Sequence, residues 1–521
     1  MDALMFELPL APAGVPRGRA MIERAEWASR AFASFDAASV RRIVEAVARV
    51  AADHARQFAE EAVAETGFGV VEHKVIKNLA CSTGLVEAYR DHDFVTPTID
   101  PTGKIVEIPR PAGVILALTP STNPVCTVYF KVLLALMTRN AIIISPHPFA
   151  AAVCAEAVHV LAAAAVAAGA PDGAIQVVEK PTVPLINALM TDDRVDVILA
   201  TGGTPMVRAA YSSGNPAIGV GPGNVPVFVD ASADLAAAAQ RIIDSKSFDH
   251  SILCTNESVL IVEEPVADAL MSQLTRAGGH LLADSDRDAV RELLFPGGRF
   301  DTQWVGRSAA VIAEAAGVRV PPRTRVLLAP FELAVPEEML AHEKLCPVLG
   351  VIRVPTAARG LAVAQAVLRI SGAGHSAAIH SRDPAVIMRF AAGVRVLRVA
   401  VNVGNSLGSS GIDTNLAPTM TIGTGFFGRS SVGENLEPKH LVNHTRIAYN
   451  ADSREPMADF AGLTPWHGST DAVPAYPTAS NENLEGAHSS APREPLTAQS
   501  AELRDEIRRL IIDELTALMK G

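Results

Sequence analysis

Aromatic side chains are scarce in this chain: 5% of its 521 residues are Phe, Tyr or Trp. Its cores must be packed with aliphatic side chains and alanine, and a hydrophobic content of 49% suffices for large ones. Positive charge is also in deficit. Lys and Arg number 45 against 56 Asp and Glu, for a net charge of −11. That balance argues against nucleic acid as the main partner, because phosphate binding needs a basic surface. Cysteine is sparse, with residues 81, 126, 154, 254 and 346 alone. The number is odd, no CxxC pair or Cys/His cluster occurs, and neither a disulfide framework nor a metal site is expected. A reducing compartment is the expectation. No uncharged apolar run reaches the ~18 residues that a membrane span needs. Lys131, Arg139 and Asn140 interrupt the best candidate, near 125–145. Met1 to Leu10 puts no basic region ahead of a hydrophobic block, so no secretory signal is expected.

What is present is alternation. Residues 20–90 predict helices: alanine is frequent, apolar residues recur at spacings of three and four, and Asp36 or Ser39 can cap the run from Val40 to Val50. The block 98–111 predicts a hairpin about Thr102 and Gly103. From 112 to 230, strands are expected over 113–118, 141–145, 175–178, 195–200, 217–220 and 225–230. Helices are expected over 124–138, 149–169, 183–190 and 204–212. Residues 231–430 repeat the pattern, with strands near 257–262, 350–354 and 395–402. Such alternation implies an α/β chain with parallel sheets covered by helices. The expected division is a first domain over 1–229, a second over 230–430 and a bridging segment over 431–466. The stretch 467–500 is rich in Pro, Ser, Thr, Ala, Asn and Glu and predicts a flexible linker. Residues 501–521 then predict an amphipathic helix with Leu503, Ile507, Leu510, Ile511, Leu515 and Leu518 on one stripe.

Five places can carry chemistry. Cys254, in Ser-Ile-Leu-Cys-Thr-Asn, stands at the entrance to an apolar strand. A thiolate there can attack a carbonyl if its surroundings lower its pKa; otherwise the residue is a small buried hydrophobe. Asn123, before Pro124, is either a helix entrance or an amide donor for the oxyanion that such an attack creates. The segment 195–207 runs from a strand through Gly202 and Gly203 into a helix with Pro205 in its first turn, which presents free N–H groups to a phosphate. Gly219-Val-Gly-Pro-Gly-Asn leaves room for a flat group near the backbone and contains no acid or base. Glu343 is either a ribose ligand or a solvated surface carboxylate. Two motifs mislead. Residues 423–428 match GxGxxG, but Arg-Ser-Ser-Val-Gly-Glu-Asn after them is a poor helix start. Residues 404–408 match the hydrolase elbow GxSxG, but Gly408, Ser409, Ser410, Gly411 and Pro418 oppose the helix that the elbow requires.

At these motifs the chain resembles the aldehyde dehydrogenase superfamily, and within it the acylating, CoA-dependent branch. The likeness spans roughly 20–450 and is densest over 200–224, with Phe-Asp-His-Ser-Ile-Leu-Cys and 437–444 in support. It implies a Rossmann-like cofactor domain, an α/β thiol domain, and a β-hairpin arm (98–111, with 440–450) that pairs subunits into a dimer or tetramer. By the same resemblance Cys254 is the nucleophile and Asn123 the oxyanion donor. Gly202 and Gly203 hold the pyrophosphate of NAD or NADP, and Glu343 its nicotinamide ribose. Thr119 and Pro120 line the nicotinamide side, Ser145 stands at the adenosine ribose with Pro146 and His147 after it, and Pro181 and Gly221 are further cofactor-binding residues. Ser406, Ser409 and Ser410 border the acyl pocket. Hydrolytic relatives carry a glutamate base where this chain has Val220, so the expected product is an acyl-CoA. The tail resembles an encapsulation peptide, which implies residence in a bacterial microcompartment within the cytoplasm and a shell or cargo partner. The competing readings are a hydrolytic aldehyde dehydrogenase, an acylating sulfoacetaldehyde dehydrogenase free in the cytoplasm and a non-catalytic scaffold.

Overall fold

Five helices open the described chain, over Val15–Phe32, Ala37–Asp53, Ala55–Thr66, Val71–Ala80 and Thr83–Ala88. The structure, a computed structural model, describes residues 14–466 and Tyr476. Apart from Tyr476, the linker expected over 467–500 and the helix expected over 501–521 lie outside the described residues. Asp36 is the cap of the second helix and accepts the Ser39 N–H at 2.8 Å. Strands β1 (Thr98–Asp100) and β2 (Ile105–Pro111) then pair antiparallel as the expected hairpin.

The next five strands form one parallel sheet. They are β3 (Val114–Thr119), β4 (Ala141–Pro146), β5 (Ile175–Val177), β6 (Val197–Thr201) and β7 (Ala217–Val220). Their order, β5-β4-β3-β6-β7, reverses direction between β3 and β6. Nearly every residue of these strands is buried, as helices on both faces require. In such a sheet the crevice outside the carboxyl ends of the strands, at the reversal, is where ligands bind.

Seven more parallel strands make the second sheet: β8 (Val225–Val229), β9 (Glu257–Glu263), β10 (Gly279–Leu281), β11 (Val326–Pro330), β12 (Val348–Val354), β13 (Ala377–His380) and β14 (Val399–Val401), in the order β10-β11-β12-β9-β8-β13-β14. The boundary between the sheets corrects one expectation. The strand expected to close the first series opens the second, because β8 is paired between β9 and β13. The sheets therefore divide at Gly221 to Asn224, ahead of the boundary expected at 229/230. Strand β15 (Val442–Ala448) returns to pair with β2, so the bridging segment completes a three-stranded antiparallel sheet.

The polar residues that break the apolar stretch near 125–145 are buried ties rather than surface groups. Arg139 donates to the carbonyls of Ala33 (2.7 Å) and Pro109 (2.9 Å), and Asn140 joins Gly113 to Leu441. Each satisfies backbone groups where the helical layer, the hairpin and the sheet meet.

Candidate active site

A cleft of about 620 Å³ lies over the carboxyl ends of β3, β4, β6 and β7 and opens onto the loop before β9. Thr119 ends β3, Ser145 and Pro146 end β4, Thr201 ends β6 and Val220 ends β7; all line it. The cleft therefore occupies the reversal point of the five-stranded sheet. Gly203 caps the helix Thr204–Tyr211; Pro205 has no N–H and the Met206 N–H bonds the Gly203 carbonyl at 3.0 Å, so the turn's own N–H groups, at Gly203 and Thr204, are those left for a ligand. A Cβ built on Gly221 would meet nothing within 4 Å, and those on Gly202 and Gly203 would meet only ordinary contacts. The backbone here is a cradle with room for a flat or phosphorylated group, and it fits a nicotinamide dinucleotide.

Cys254 faces this cleft from the second sheet. The turn before it is unusual: Asp249, His250 and Ser251 all have left-handed φ, at 48°, 50° and 66°. Three successive non-glycine residues in that region are strained and persist only when their surroundings hold them. Asp249 accepts the Val70 N–H at 2.6 Å and binds the ammonium groups of Lys74 (3.1 Å) and Lys77. His250 Nδ1 contacts the Gly306 carbonyl at 3.0 Å, and the Ser251 hydroxyl donates to Asn256 Oδ1 at 2.7 Å.

The electrostatics depart from the lowered thiol pKa that reactivity alone suggests. Burial pushes the Cys254 thiol up to about 12, and the Glu343 charge adds to the shift. The N–H groups of Cys254 and Thr255 and the Arg398 guanidinium oppose it. Glu343 lines the same cleft, and its Oε1 accepts the Gly223 N–H at 3.1 Å. Its burial raises it to about 8, against the pull of that N–H and of Lys246 and Lys344. At neutral pH both the sulfur and this carboxyl are mainly protonated at rest.

Asn123 sits at the N-cap of the helix Pro124–Met137, yet its side chain makes no capping bond. The backbone opens a helix, and the residue lines the cleft. Its Oδ1 accepts from Lys77 Nζ at 2.6 Å, and Nδ2 is 3.3 Å from Thr122 Oγ1.

Thr119, Pro120, Asn123, Ser145, Pro146, His147, Pro181, Gly202, Gly203, Gly221, Cys254, Glu343 and Ser410 all line the one cleft. Ser406 and Ser409 do not. The Ser406 hydroxyl donates to the Ser245 carbonyl at 2.9 Å, and its own carbonyl accepts from Thr255 Oγ1 at 2.7 Å. The Ser409 hydroxyl donates to Asn405 Oδ1 at 2.8 Å. Both are fully buried props behind the cysteine turn. A one-turn helix does form over Asn405–Gly408, where none is expected, but a buried and hydrogen-bonded Ser406 is no hydrolase nucleophile.

Sequence reasoning missed His375 and Arg398, which have no motif of their own. His375 is buried, its Nδ1 pairs with Ser376 Oγ at 3.0 Å, and its Nε2 has no partner. Burial and the Arg398 charge draw it down to about 3, so it is a neutral imidazole. Its ring lies beside Gly223, where a Cβ would sit 3.4 Å from Cε1. Arg398 donates to the carbonyls of His375 (2.8 Å), Gly423 and Gly433 and to Asn435 Oδ1 (2.6 Å).

A profile of the aldehyde dehydrogenase family matches residues 13–291. The bifunctional aldehyde-alcohol dehydrogenase of Escherichia coli K12 is 38% identical over 450 residues, 85% of this chain and 50% of that protein. The chain thus spans about half the length of the bifunctional relatives that it matches. The succinate-semialdehyde dehydrogenase (acetylating) of Clostridium kluyveri is 36% identical and is matched nearly end to end, over 84% of this chain and 96% of that one. The crystal structure of an acetylating aldehyde dehydrogenase from Geobacillus thermoglucosidasius superposes with a TM-score of 0.83 at 37% identity, over 84% of this chain and 98% of that one. A propionaldehyde dehydrogenase from a Clostridium phytofermentans fucose-utilisation microcompartment gives 0.77 at 26%, over 83% and 97% of the two chains. A Rhodopseudomonas palustris propionaldehyde dehydrogenase with bound propionyl-CoA gives 0.75 at 27%, over 83% and 94%. The cleft and these likenesses agree, and the chain belongs to the aldehyde dehydrogenase family.

Proposed function

We propose that this chain is a CoA-acylating aldehyde dehydrogenase, which converts an aldehyde, CoA and NAD+ into an acyl-CoA and NADH through a thioester on Cys254. One observation carries the reading. Cys254 and Asn123 line one cleft in which Val220, not a carboxylate, stands at the end of β7. Cys254 holds its proton at rest, so that proton passes to water as sulfur bonds to the aldehyde carbon, and it is the one proton released in the overall reaction. The carbonyl oxygen becomes an oxyanion, to which Asn123 Nδ2 donates in this reading. The nicotinamide, when bound, accepts the hydride. Gly202, Gly203 and the helix behind them would hold its pyrophosphate, and Glu343 a ribose. The thioester then lasts until a thiol takes it. Glu343 is a poor base for water at neutral pH, since burial keeps it protonated up to about 8. CoA sulfur attacks the acyl carbon, the Cys254 C–S bond breaks, and the proton of the CoA thiol restores the Cys254 thiol.

NAD is favoured over NADP. At the adenosine end a 2′-phosphate would meet Ser145, Pro146 and His147. Ser145 and Pro146 carry no charge, and His147 Nδ1 is taken up by the Phe149 N–H at 3.2 Å, so this end has no Lys or Arg to meet a phosphate. The tail is proposed to carry the enzyme into a microcompartment. Six aliphatic residues on one stripe need a partner that a short isolated helix lacks. Removal of 501–521 is expected to spare catalysis and abolish co-sedimentation with shells; loss of catalysis would mark the tail as part of the enzyme.

The test of the main reading is NADH release across a panel of short aldehydes, with and without CoA, for the wild type and Cys254→Ala. CoA-dependent NADH formation, lost in the variant, is expected. A free acid formed without CoA at comparable turnover would overturn it.

A further inference from the structure

We propose that Lys77 is a positioning residue that orients Asn123 as the oxyanion donor. A side-chain amide presents either its oxygen or its NH2 to a given point, and the wrong choice would aim a carbonyl dipole at the developing oxyanion. Lys77 removes the ambiguity. Its ammonium donates to Asn123 Oδ1 at 2.6 Å, and an ammonium accepts nothing, so the NH2 group is directed away from it. Lys77 lies one helix away, on Val71–Ala80, and is 1% exposed, so neither side chain is free to wander. Its second partner is Asp249, the first of the three strained residues that lead to Cys254. One ammonium therefore ties the amide donor to the turn that carries the nucleophile. Lys74 shares the carboxylate, so two cations face one anion and an excess positive charge is buried beside the oxyanion amide.

The inference rests on the thioester reading above, so the assay begins with the wild type showing CoA-dependent NADH formation; its absence would defeat that reading and not this one. A double-mutant cycle of Lys77→Met and Asn123→Ala then separates positioning from simple support. Loss of an oxyanion donor costs roughly 10²–10³ in kcat, and a donor left in place but unoriented should cost about 10- to 100-fold, with KM for the aldehyde within about twofold. In the Asn123→Ala background the same Lys77 substitution should cost less than about threefold, because its target is gone. Equal losses in both backgrounds would overturn the proposal. Should Lys77→Met fail to fold, Lys77→Leu, which cannot donate to Asn123 Oδ1, takes its place in the cycle. A crystal structure of the wild type supplies an independent check: Lys77 Nζ beyond hydrogen-bonding distance of Asn123 Oδ1 would also refute it.

Discussion

Two neighbouring glycines, Gly221 and Gly223, should respond to the same substitution in opposite ways. A Cβ on Gly221 meets no atom within 4 Å and projects into open space at the cleft. A Cβ on Gly223 would fall well inside the 3.0 Å floor of real contacts, against the carbonyl oxygen of Cys254, with His375 Cε1 at 3.4 Å behind it. Neither glycine has a left-handed φ, so the effect is one of space and not of backbone strain. In Gly223→Ala the cysteine turn must retreat by close to an ångström, and a displacement of about 1 Å at reacting atoms costs roughly a hundredfold in rate. Overpacking adds about 1–3 kcal/mol of destabilisation. The Gly223 N–H would move as well, and with it the anchor of Glu343. In Gly221→Ala the fold has nothing to yield, so the urea midpoint should match the wild type while KM for NAD rises. The assay pairs urea titration with single-turnover NADH bursts and with the rate of Cys254 alkylation by iodoacetamide. Wild-type burst and alkylation rates in Gly223→Ala, or a destabilised Gly221→Ala with unchanged KM, would show that the packing around Cys254 is misread.

The same cleft sets three further expected outcomes. Val220→Glu places a carboxylate at the end of β7 and should let some free acid form without CoA, measured by product chromatography; a rise in CoA-dependent turnover instead would count against the missing-base argument. The raised Glu343 pKa has a stability signature: the folded state keeps a proton that the unfolded chain releases near pH 4.5, so this residue's contribution falls as pH climbs from about 4.5 to about 8. Glu343→Gln should gain in urea midpoint relative to the wild type between pH 5.5 and 8, and parallel curves would exclude the shift. With Ser145, Pro146 and His147 at the proposed adenosine end, kcat/KM for NAD should exceed that for NADP by at least about tenfold, a difference of roughly 1.4 kcal/mol; equal values would point to a phosphate ligand other than these three.

Much of this organisation is legible in the sequence because the chain is locally consistent. The helix expected over 183–190 and the strand over 217–220 form with those bounds, and Asp36 caps as its side chain allows. The segment around Gly202 and Gly203 stands out through a glycine pair followed by proline, a pattern with few other uses. The features hidden from the sequence depend on contacts distant along the chain. Nothing local distinguishes β8 from the strands before it; its sheet is chosen by β9 and β13. Strands β10, β11 and β13 are short and are not among those expected. Ser406 and Ser409 look like pocket serines in a polar loop, and only their partners, Ser245 and Asn405, show them to be props. His375 stands in Gly-His-Ser, which advertises nothing; its place beside Gly223 is a tertiary fact.

Charge shows the same contrast between whole and part. The chain carries a net −11, yet the residues under Asn123 and behind Cys254 hold Lys74, Lys77 and Arg398 against Asp249. A buried carboxylate needs one cation to balance it, and a second is costly to desolvate unless it serves something else. Burial and repulsion from Lys77 draw Lys74 down to about 8, so Lys74 is the member that yields its proton first. Lys77 keeps its charge: burial pulls its pKa down, but Asp249 and, after it, the Cys126 sulfur together raise it above the ordinary lysine value. The retained charge is therefore on the lysine that touches Asn123. A pair built solely to hold the helix Val71–Ala80 against the cysteine turn would need no third partner. In the proposed reaction, whose first step places negative charge on an oxygen, the bond from Lys77 to the amide carries that retained charge to the donor.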